Sequence, residues 1–363
     1  MMKALVLEDI EKLYYTEVEK PVPKKGEVIV RVMAAGICGS DIPRAYKEGA
    51  HNMPLITGHE FSGIVEEVGE GVSEDMTGKR VGVFPLIPCM KCGPCKNRQY
   101  EMCRNYDYVG SRRNGAFAEF VAVPAWNLTE LPANVSFEAA AMLEPMAVAV
   151  HAMTRSLIGS GRAPFERTVT SEQIAVCGLG TIGTFLVMFL LEAGYKDLIV
   201  IGNKEFQRQT MLSLGLHEEN YCDTNKENAK DFIMDRTGGS GADVFFECVG
   251  KNETASLAID CAAPAGTVCF VGNPHSDMLF EKPFYWKILR NQLTVKGTWN
   301  SSFLGEKEGA DDDWHYVLSR LKNKSVDPEK LITHRFPLDK LVSGFELMRD
   351  KTEDYIKVMC VPS

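Results

Sequence analysis

Apolar and polar positions change their rhythm twice along the chain. Through the first third, β-branched and apolar residues come in short extended runs: Val28-Ile29-Val30-Arg31-Val32-Met33-Ala34, the partly alternating Phe61-Ser62-Gly63-Ile64-Val65-Glu66-Glu67-Val68, and Arg80-Val81-Gly82-Val83-Phe84 after the Thr77-Gly78-Lys79 turn. Short strands punctuated in this way predict a small, irregular all-β domain. From about Phe137 the spacing becomes helical. Ala139, Ala140, Ala141 and Met142 are followed by a second apolar run over residues 147–153, with Pro145 expected to interrupt the helix between them.

A linker rich in glycine, serine and proline, Gly159-Ser160-Gly161-Arg162-Ala163-Pro164, leads into the second rhythm. Ile174-Ala175-Val176-Cys177 reads as a buried strand, residues 185–191 as an apolar helix, and Leu198-Ile199-Val200-Ile201 as the next strand. Residues 243–250 and 267–272 are further strand runs, each closed by a glycine. Strand alternating with helix predicts a doubly wound parallel sheet. The chain closes with an amphipathic helix over residues 314–321, the stretch His334-Arg335-Phe336-Pro337, and the extended Ile356-Lys357-Val358-Met359-Cys360, which is placed to rejoin the first domain. The expected organisation is α/β, with one domain of residues 1–150 and 299–363 and a second, doubly wound domain of residues 151–298.

Composition narrows the class. A chain of 363 residues exceeds what one hydrophobic core supports and suggests two domains, and 45% hydrophobic with 25% charged residues is ordinary for a soluble globular protein. The net charge of -9, with no long basic run, argues against nucleic acid as a partner. The amino terminus turns acidic after a few apolar residues, so neither a signal peptide nor a membrane span is expected and the protein is placed in the cytoplasm. Seven cysteines scattered through apolar stretches read as buried reduced thiols (Cys38, Cys177, Cys222, Cys248, Cys261, Cys269 and Cys360).

The other four cysteines form a ladder, Cys89, Cys92, Cys95 and Cys103, spaced C-x2-C-x2-C-x7-C. Four thiolates on one short loop close a tetrahedral shell around zinc at roughly 2.3 Å and leave no position for water. Such a site is structural, so the activity must lie elsewhere. Gly178-Leu179-Gly180-Thr181-Ile182-Gly183 closes one strand and opens a helix, the context in which G-x-G-x-x-G cradles a dinucleotide pyrophosphate. An acidic residue at the end of the following strand ordinarily binds the ribose of NAD, but Gly202-Asn203-Lys204 stands there. The missing carboxylate, with Lys204 and Arg208 nearby, favours NADP, whereas a contact from Glu205 or the backbone would hold NAD. Val249, Gly272 and Thr298, at the ends of the later strands, complete the candidate cofactor contacts. Cys38 and His59 are donors suited to a catalytic zinc, and Glu144, an acid in an apolar stretch, needs a partner. Singly they read as a packed thiol, a core histidine and a helix-end carboxylate. Beside a nucleotide fold they become a candidate catalytic metal site.

The segments Cys38-Gly39-Ser40-Asp41, Gly58-His59-Glu60-Phe61-Ser62-Gly63, the cysteine ladder, Glu144-Pro145-Met146-Ala147-Val148-Ala149-Val150-His151 and the glycine fingerprint follow one another in a characteristic order. On these motifs, over essentially its whole length, the chain resembles the zinc-containing medium-chain alcohol and polyol dehydrogenases. The resemblance implies a GroES-like irregular β-barrel catalytic domain and a Rossmann cofactor domain. It further implies two zinc ions per chain, the catalytic one on Cys38, His59 and Glu144, polarising the alcohol oxygen as a Lewis acid. Ser40 would hydrogen-bond that oxygen and relay its proton, and hydride would pass to NAD(P). Glu60 is implied as a supporting carboxylate or an exchangeable ligand, and His51 as an extension of the proton path or a plain loop histidine. A homodimer or homotetramer is also implied.

Within the family, Pro43-Arg44, Gly49-Ala50-His51, Gly110-Ser111-Arg112-Arg113, Phe117-Ala118-Glu119 and Lys287-Ile288-Leu289-Arg290 are most similar to the segments of polyol-phosphate enzymes. This implies oxidation of galactitol 1-phosphate to tagatose 6-phosphate, with Arg112 and Arg113 either gripping the phosphate or facing water in a turn. The alternatives are another sugar alcohol or a simple secondary alcohol as substrate. Outside that class stand a non-catalytic nucleotide-binding protein and a zinc-free quinone reductase, against which the joint presence of Cys38, His59 and Glu144 argues.

Overall fold

The computed structural model describes residues 1–157, 172–274, 276–306 and 311–362, so the predicted linker of residues 159–164 lies outside the described residues. Strand β1 (Met2–Asp9) forms a hairpin with β2 (Lys12–Val18). The longest early strand, β3 (Glu27–Ile37), is buried at nine of its eleven positions, which is why its sequence reads as an apolar run and not as an alternation. After the short β4 (Leu55–Ile56), β5 (Glu60–Val68) pairs antiparallel with β3, and the register sets Gly36 opposite Glu60. That register brings the segment leaving β3 beside the segment entering β5. Strand β6 (Arg80–Val83) extends the sheet from β5, and β7 (Leu86–Ile87) pairs with β8 (Asp107–Tyr108) as a separate two-stranded ribbon. Strands β9 (Phe120–Pro124) and β10 (Leu128–Glu130) pair with β3 and β6. Val28, Val30, Val32, Phe61, Val81 and Phe117 lie in the shared core.

The helix Phe137–Ala141 is capped by Ser136, whose Oγ accepts the Ala139 N–H at 3.0 Å. A second helix, Leu143–Leu157, starts beyond Met142. Pro145 lies in its first turn, where a missing N–H costs no intrahelical bond, so the expected interruption at Pro145 falls instead at Met142.

The next region is a six-stranded parallel sheet. Its strands are β11 (Ile174–Cys177), β12 (Leu198–Gly202), β13 (Tyr221–Asp223), β14 (Ala242–Glu247), β15 (Ala262–Phe270) and β16 (Thr294–Gly297), in the spatial order β13-β12-β11-β14-β15-β16. This is the doubly wound order, in which ligands bind beyond the carboxyl ends of the strands where the winding reverses, here between β11 and β14. Ala175 sits between Ile199 and Phe245 at the centre of its core.

The chain then returns. Strand β17 (Ile332–Phe336) pairs parallel with β18 (Lys357–Cys360), which pairs antiparallel with the end of β3, completing a seven-stranded sheet. Two compact units result, residues 1–147 with 301–363 and residues 148–300. None of the described helices is long and apolar enough to cross a membrane.

The helix Asp313–Lys322 is capped by Asp312, whose Oδ1 accepts the His315 N–H and meets His315 Nδ1, both at 2.9 Å. That side-chain bond raises the His315 pKa above its ordinary value. A raised histidine contributes stability that is complete below its unfolded pKa and is lost as pH rises through the folded one. His315→Gln is therefore expected to cost about 0.5 kcal/mol at mildly acidic pH and almost nothing at alkaline pH. Urea unfolding at the two pH values checks it.

Candidate active site

The β3–β5 register places Cys38 just past the end of β3, opposite His59 and Glu60 at the entrance to β5. One donor atom from each of these three residues lies within 4.8 Å of the other two, and His59 and Glu60 are buried. Asp41, buried completely in the helical turn Asp41–Pro43, organises them. Its Oδ2 accepts the Cys38 N–H at 3.1 Å, and its Oδ1 accepts Arg44 Nη1 at 2.5 Å and stands 3.7 Å from His59 Nδ1. Ser40 Oγ donates to Cys38 Sγ at 3.3 Å. Glu60 also forms a buried ion pair with Lys357 of β18, whose ammonium donates to Ile37 O at 3.1 Å. Gly36 makes the room: a Cβ there would overlap Glu60 Oε2 and stand 2.5 Å from Lys357 Cε.

Glu144 enters from the first turn of the Leu143–Leu157 helix, and its Oε1 accepts the Tyr108 hydroxyl at 3.3 Å. Burial pushes its carboxyl up to about 7, against the pull of His59 and with a further push from Glu60. Burial, then the charges of Glu60 and Asp41, likewise push the Cys38 thiol up. Glu60, and not Glu144, completes the tight group with Cys38 and His59. The three carboxylates Asp41, Glu60 and Glu144 outnumber the cations Lys357 and Arg44 paired with them, and a divalent cation would offset that excess. The donor set suits zinc with an open coordination position, and His59 Nδ1 has no hydrogen-bond partner among the described residues.

The ladder residues Cys89, Cys92, Cys95 and Cys103 also converge, each offering a sulfur within 4.8 Å of the rest, and all are free thiols. The backbone N–H groups of Arg104 and Cys95 hold the Cys92 thiol down at about 6, while burial pushes Cys95 up to about 12. Four sulfurs met by backbone donors fit a closed zinc site. Tyr100 of this loop packs on Trp126 at 5.0 Å, and Trp126 packs in turn on Phe84 and Phe303.

In the second unit, Gly178 follows β11, and Gly180 caps the helix Thr181–Glu192, whose first residues include Thr181, Ile182 and Gly183. At the end of β14, the buried Glu247 carboxylate accepts Val249 N–H at 2.8 Å, Gly250 N–H at 2.9 Å and Thr254 Oγ1 at 2.7 Å. Sequence reasoning passed over Glu247, although it is an acid at the end of an apolar strand. Gly272 closes on Val249 and Gly250, and Thr298 Oγ1 is buried without a partner among the described residues. Gly202 ends β12 against Tyr221: a Cβ there would overlap the phenol, which donates to Lys204 O at 3.2 Å. Tyr221 thus fills the space that an acidic side chain at this strand end would need. Asn203 O accepts Asn225 Nδ2 at 2.6 Å, and Arg208 pairs with Glu205 at 2.8 Å and with Glu218.

The remaining candidates do not gather. His51 is exposed in the segment 51–54. Arg113 pairs with Glu27 at 2.8 Å, whereas Arg112 lies over the Tyr106 ring at 4.1 Å and donates to Tyr106 O. The two guanidiniums do not form one clamp.

The chain matches the family described as Alcohol dehydrogenase GroES-like domain over residues 24–133, and the one described as Zinc-binding dehydrogenase over residues 181–323. Galactitol 1-phosphate 5-dehydrogenase of Escherichia coli is 30% identical over 342 residues, 93% of this chain and 92% of that protein. The crystal structure of galactitol-1-phosphate dehydrogenase from Escherichia coli aligns with a TM-score of 0.88 at 29% identity, covering 99% of this chain and 100% of that one. L-threonine 3-dehydrogenase of Bacillus subtilis is 31% identical over 355 residues, 96% of this chain and 95% of that protein. A zinc-binding dehydrogenase from Sinorhizobium meliloti, solved bound to NADP, aligns with a TM-score of 0.86 at 27% identity, covering 100% of this chain and 99% of that one.

Proposed function

The chain belongs to the zinc-dependent medium-chain alcohol and polyol dehydrogenases, NAD(P)-linked oxidoreductases, and from that premise we propose that it oxidises a secondary alcohol of a polyol or polyol phosphate. Galactitol 1-phosphate, giving tagatose 6-phosphate, is the substrate we put first. The observation that carries the reading is the group of Cys38 with the buried His59 and Glu60, and Ser40 beside it. Cys38, His59 and Glu60 would hold a zinc ion that would supply Lewis acidity at the alcohol oxygen, and a bound nicotinamide would supply the hydride acceptor. Ser40 Oγ, which donates to Cys38 Sγ, is the hydroxyl assigned here to take the alcohol proton. Asp41 fixes the Cys38 backbone and stands 3.7 Å from His59 Nδ1. In this assignment Cys38, His59 and Glu60 hold the catalytic zinc and Glu144, steadied by Tyr108, is the exchangeable carboxylate. The four ladder cysteines hold a second, structural zinc.

The missing carboxylate at Gly202 supports NADP, with Lys204 and Arg208 as the nearby cations. The assembly proposed is a homodimer through the edge strand β16, which carries the exposed Val295, with Trp299 exposed after it and Tyr285, Trp286 and Leu289 exposed on the preceding helix Lys282–Arg290. The proposed compartment is the cytoplasm.

A substrate panel followed by nicotinamide absorbance tests the reading, with galactitol 1-phosphate, galactitol, sorbitol and L-threonine as the first members. The polyol phosphate is expected to exceed the others in kcat/KM by about tenfold or more. L-threonine at the head of the panel would sink the polyol assignment, and tighter binding of NAD than of NADP would sink the cofactor assignment.

A further inference from the structure

We propose that Tyr108 is a positioning residue that couples the four-cysteine loop to the reacting site. The proposal rests on the dehydrogenase reading only for where the reacting site lies. The ladder loop, itself part of the first unit, is closed at its base by the β7–β8 ribbon, in which Leu86 faces Tyr108 and Ile87 faces Asp107. Cys89 follows β7 by two residues and Cys103 precedes Tyr108 by five, and the Cys89 N–H donates to Cys103 Sγ at 3.2 Å. One end of the ribbon is tied down: the buried Asn127 Nδ2 donates to Phe84 O at 2.7 Å and to Leu86 O at 2.8 Å, and Val109 N–H donates to Pro85 O at 3.0 Å. The other end is closed by the sulfur cluster. Two strands of two residues have no stability of their own, so their geometry follows whatever closes that end.

Tyr108 carries this geometry inward. Its hydroxyl donates to Glu144 and its ring meets the His59 imidazole edge-on at 5.8 Å and 68°. Tyr106 packs against Tyr108 at 6.2 Å and is covered by the Arg112 guanidinium, so the segment between Cys103 and Tyr108 is itself braced. A metal on the four sulfurs therefore fixes the side chain that holds Glu144 in place and bounds the motion of His59. Residues that orient the donors of a metal site govern its affinity and activity by about 10–100-fold.

Cobalt in place of zinc gives the readout, because an all-thiolate site and a mixed thiolate, imidazole and carboxylate site absorb differently. Tyr108→Phe, which deletes only the hydroxyl, is expected to shift the mixed-site bands, leave the all-thiolate bands unmoved, and lower kcat about tenfold. Cys92→Ser is then compared in the two backgrounds: it is expected to lower kcat about tenfold with Tyr108 present and no more than about twofold when combined with Tyr108→Phe. Should Cys92→Ser fail to fold, stepwise chelation of the loop metal, with circular dichroism confirming the fold, gives the same comparison. Mixed-site bands unmoved by Tyr108→Phe, or an equal loss in both backgrounds, would overturn the coupling. A protein that takes one cobalt, on thiolates alone, overturns the dehydrogenase reading and the coupling with it, and metal stoichiometry tells this apart from the other outcomes.

Discussion

Lys357→Met is expected to lower the free energy of unfolding by about 3–5 kcal/mol, the range for removing one partner of a buried ion pair. Lys357 and Glu60 have side chains 1% and 2% exposed, so neither charge has water to fall back on. With the ammonium gone, the Glu60 carboxylate is left as an uncompensated buried charge. Ile37 O also loses its donor. Replacing both partners, Lys357→Met with Glu60→Gln, is expected to recover most of the loss, because the cost lies in the orphaned charge and not in the absence of the pair. Loading with zinc is expected to shrink the single-variant loss, since a cation beside Glu60 takes over part of the role of Lys357. Urea unfolding of the metal-free and metal-loaded proteins measures all three. A single variant as stable as the parent would show that another group neutralises Glu60.

What could be read in advance follows the distance along the chain between partners. The ladder and the glycine fingerprint are local, each written within a few turns of chain, and their spacing states their geometry. The β3–β5 pairing was legible as two extended runs, but the register that sets Gly36 against Glu60 was not, because nothing local fixes it. Lys357 and Glu60 lie 297 residues apart. The signal for Lys357 was nevertheless present: a lysine inside the apolar run Ile356-Lys357-Val358-Met359-Cys360 needs a buried partner by the same reasoning that singled out Glu144. Asp41 and Tyr108 had no such flag, since an aspartate after a turn and a tyrosine in a loop are common in exposed positions. Arg112 and Arg113 show the converse, residues adjacent in sequence that part in space. Neighbours in sequence seldom point to one place, and here Glu27, 86 residues away from Arg113, draws one guanidinium off while the Tyr106 ring holds the other.

Gly183→Ala is expected to weaken nucleotide binding by about 100-fold, or about 2.7 kcal/mol, and to do so by a route distinct from that of Gly180→Ala. A Cβ on Gly183 would overlap Gly178 O, so the helix Thr181–Glu192 must retreat from the turn that follows β11. Overpacking of this kind costs about 1–3 kcal/mol of stability, and the binding loss is secondary to it. Gly178 is constrained as well, with φ at +98° and a would-be Cβ 2.5 Å from Val249 Cγ2. Gly180 differs: its φ is -74° and a Cβ there would meet nothing within 4 Å. An alanine at Gly180 is therefore expected to leave thermal unfolding unchanged or raise it slightly, by the about 0.4–1 kcal/mol that a lost glycine saves in chain entropy. Any binding it loses must then come from the ligand, because the pyrophosphate needs the bare backbone at that point. Calorimetric titration with NADP, set beside the melting temperatures, separates the two routes. Full binding by Gly180→Ala would mean that the phosphates do not approach the chain at this turn, and the fingerprint would then be serving the packing of helix on strand alone.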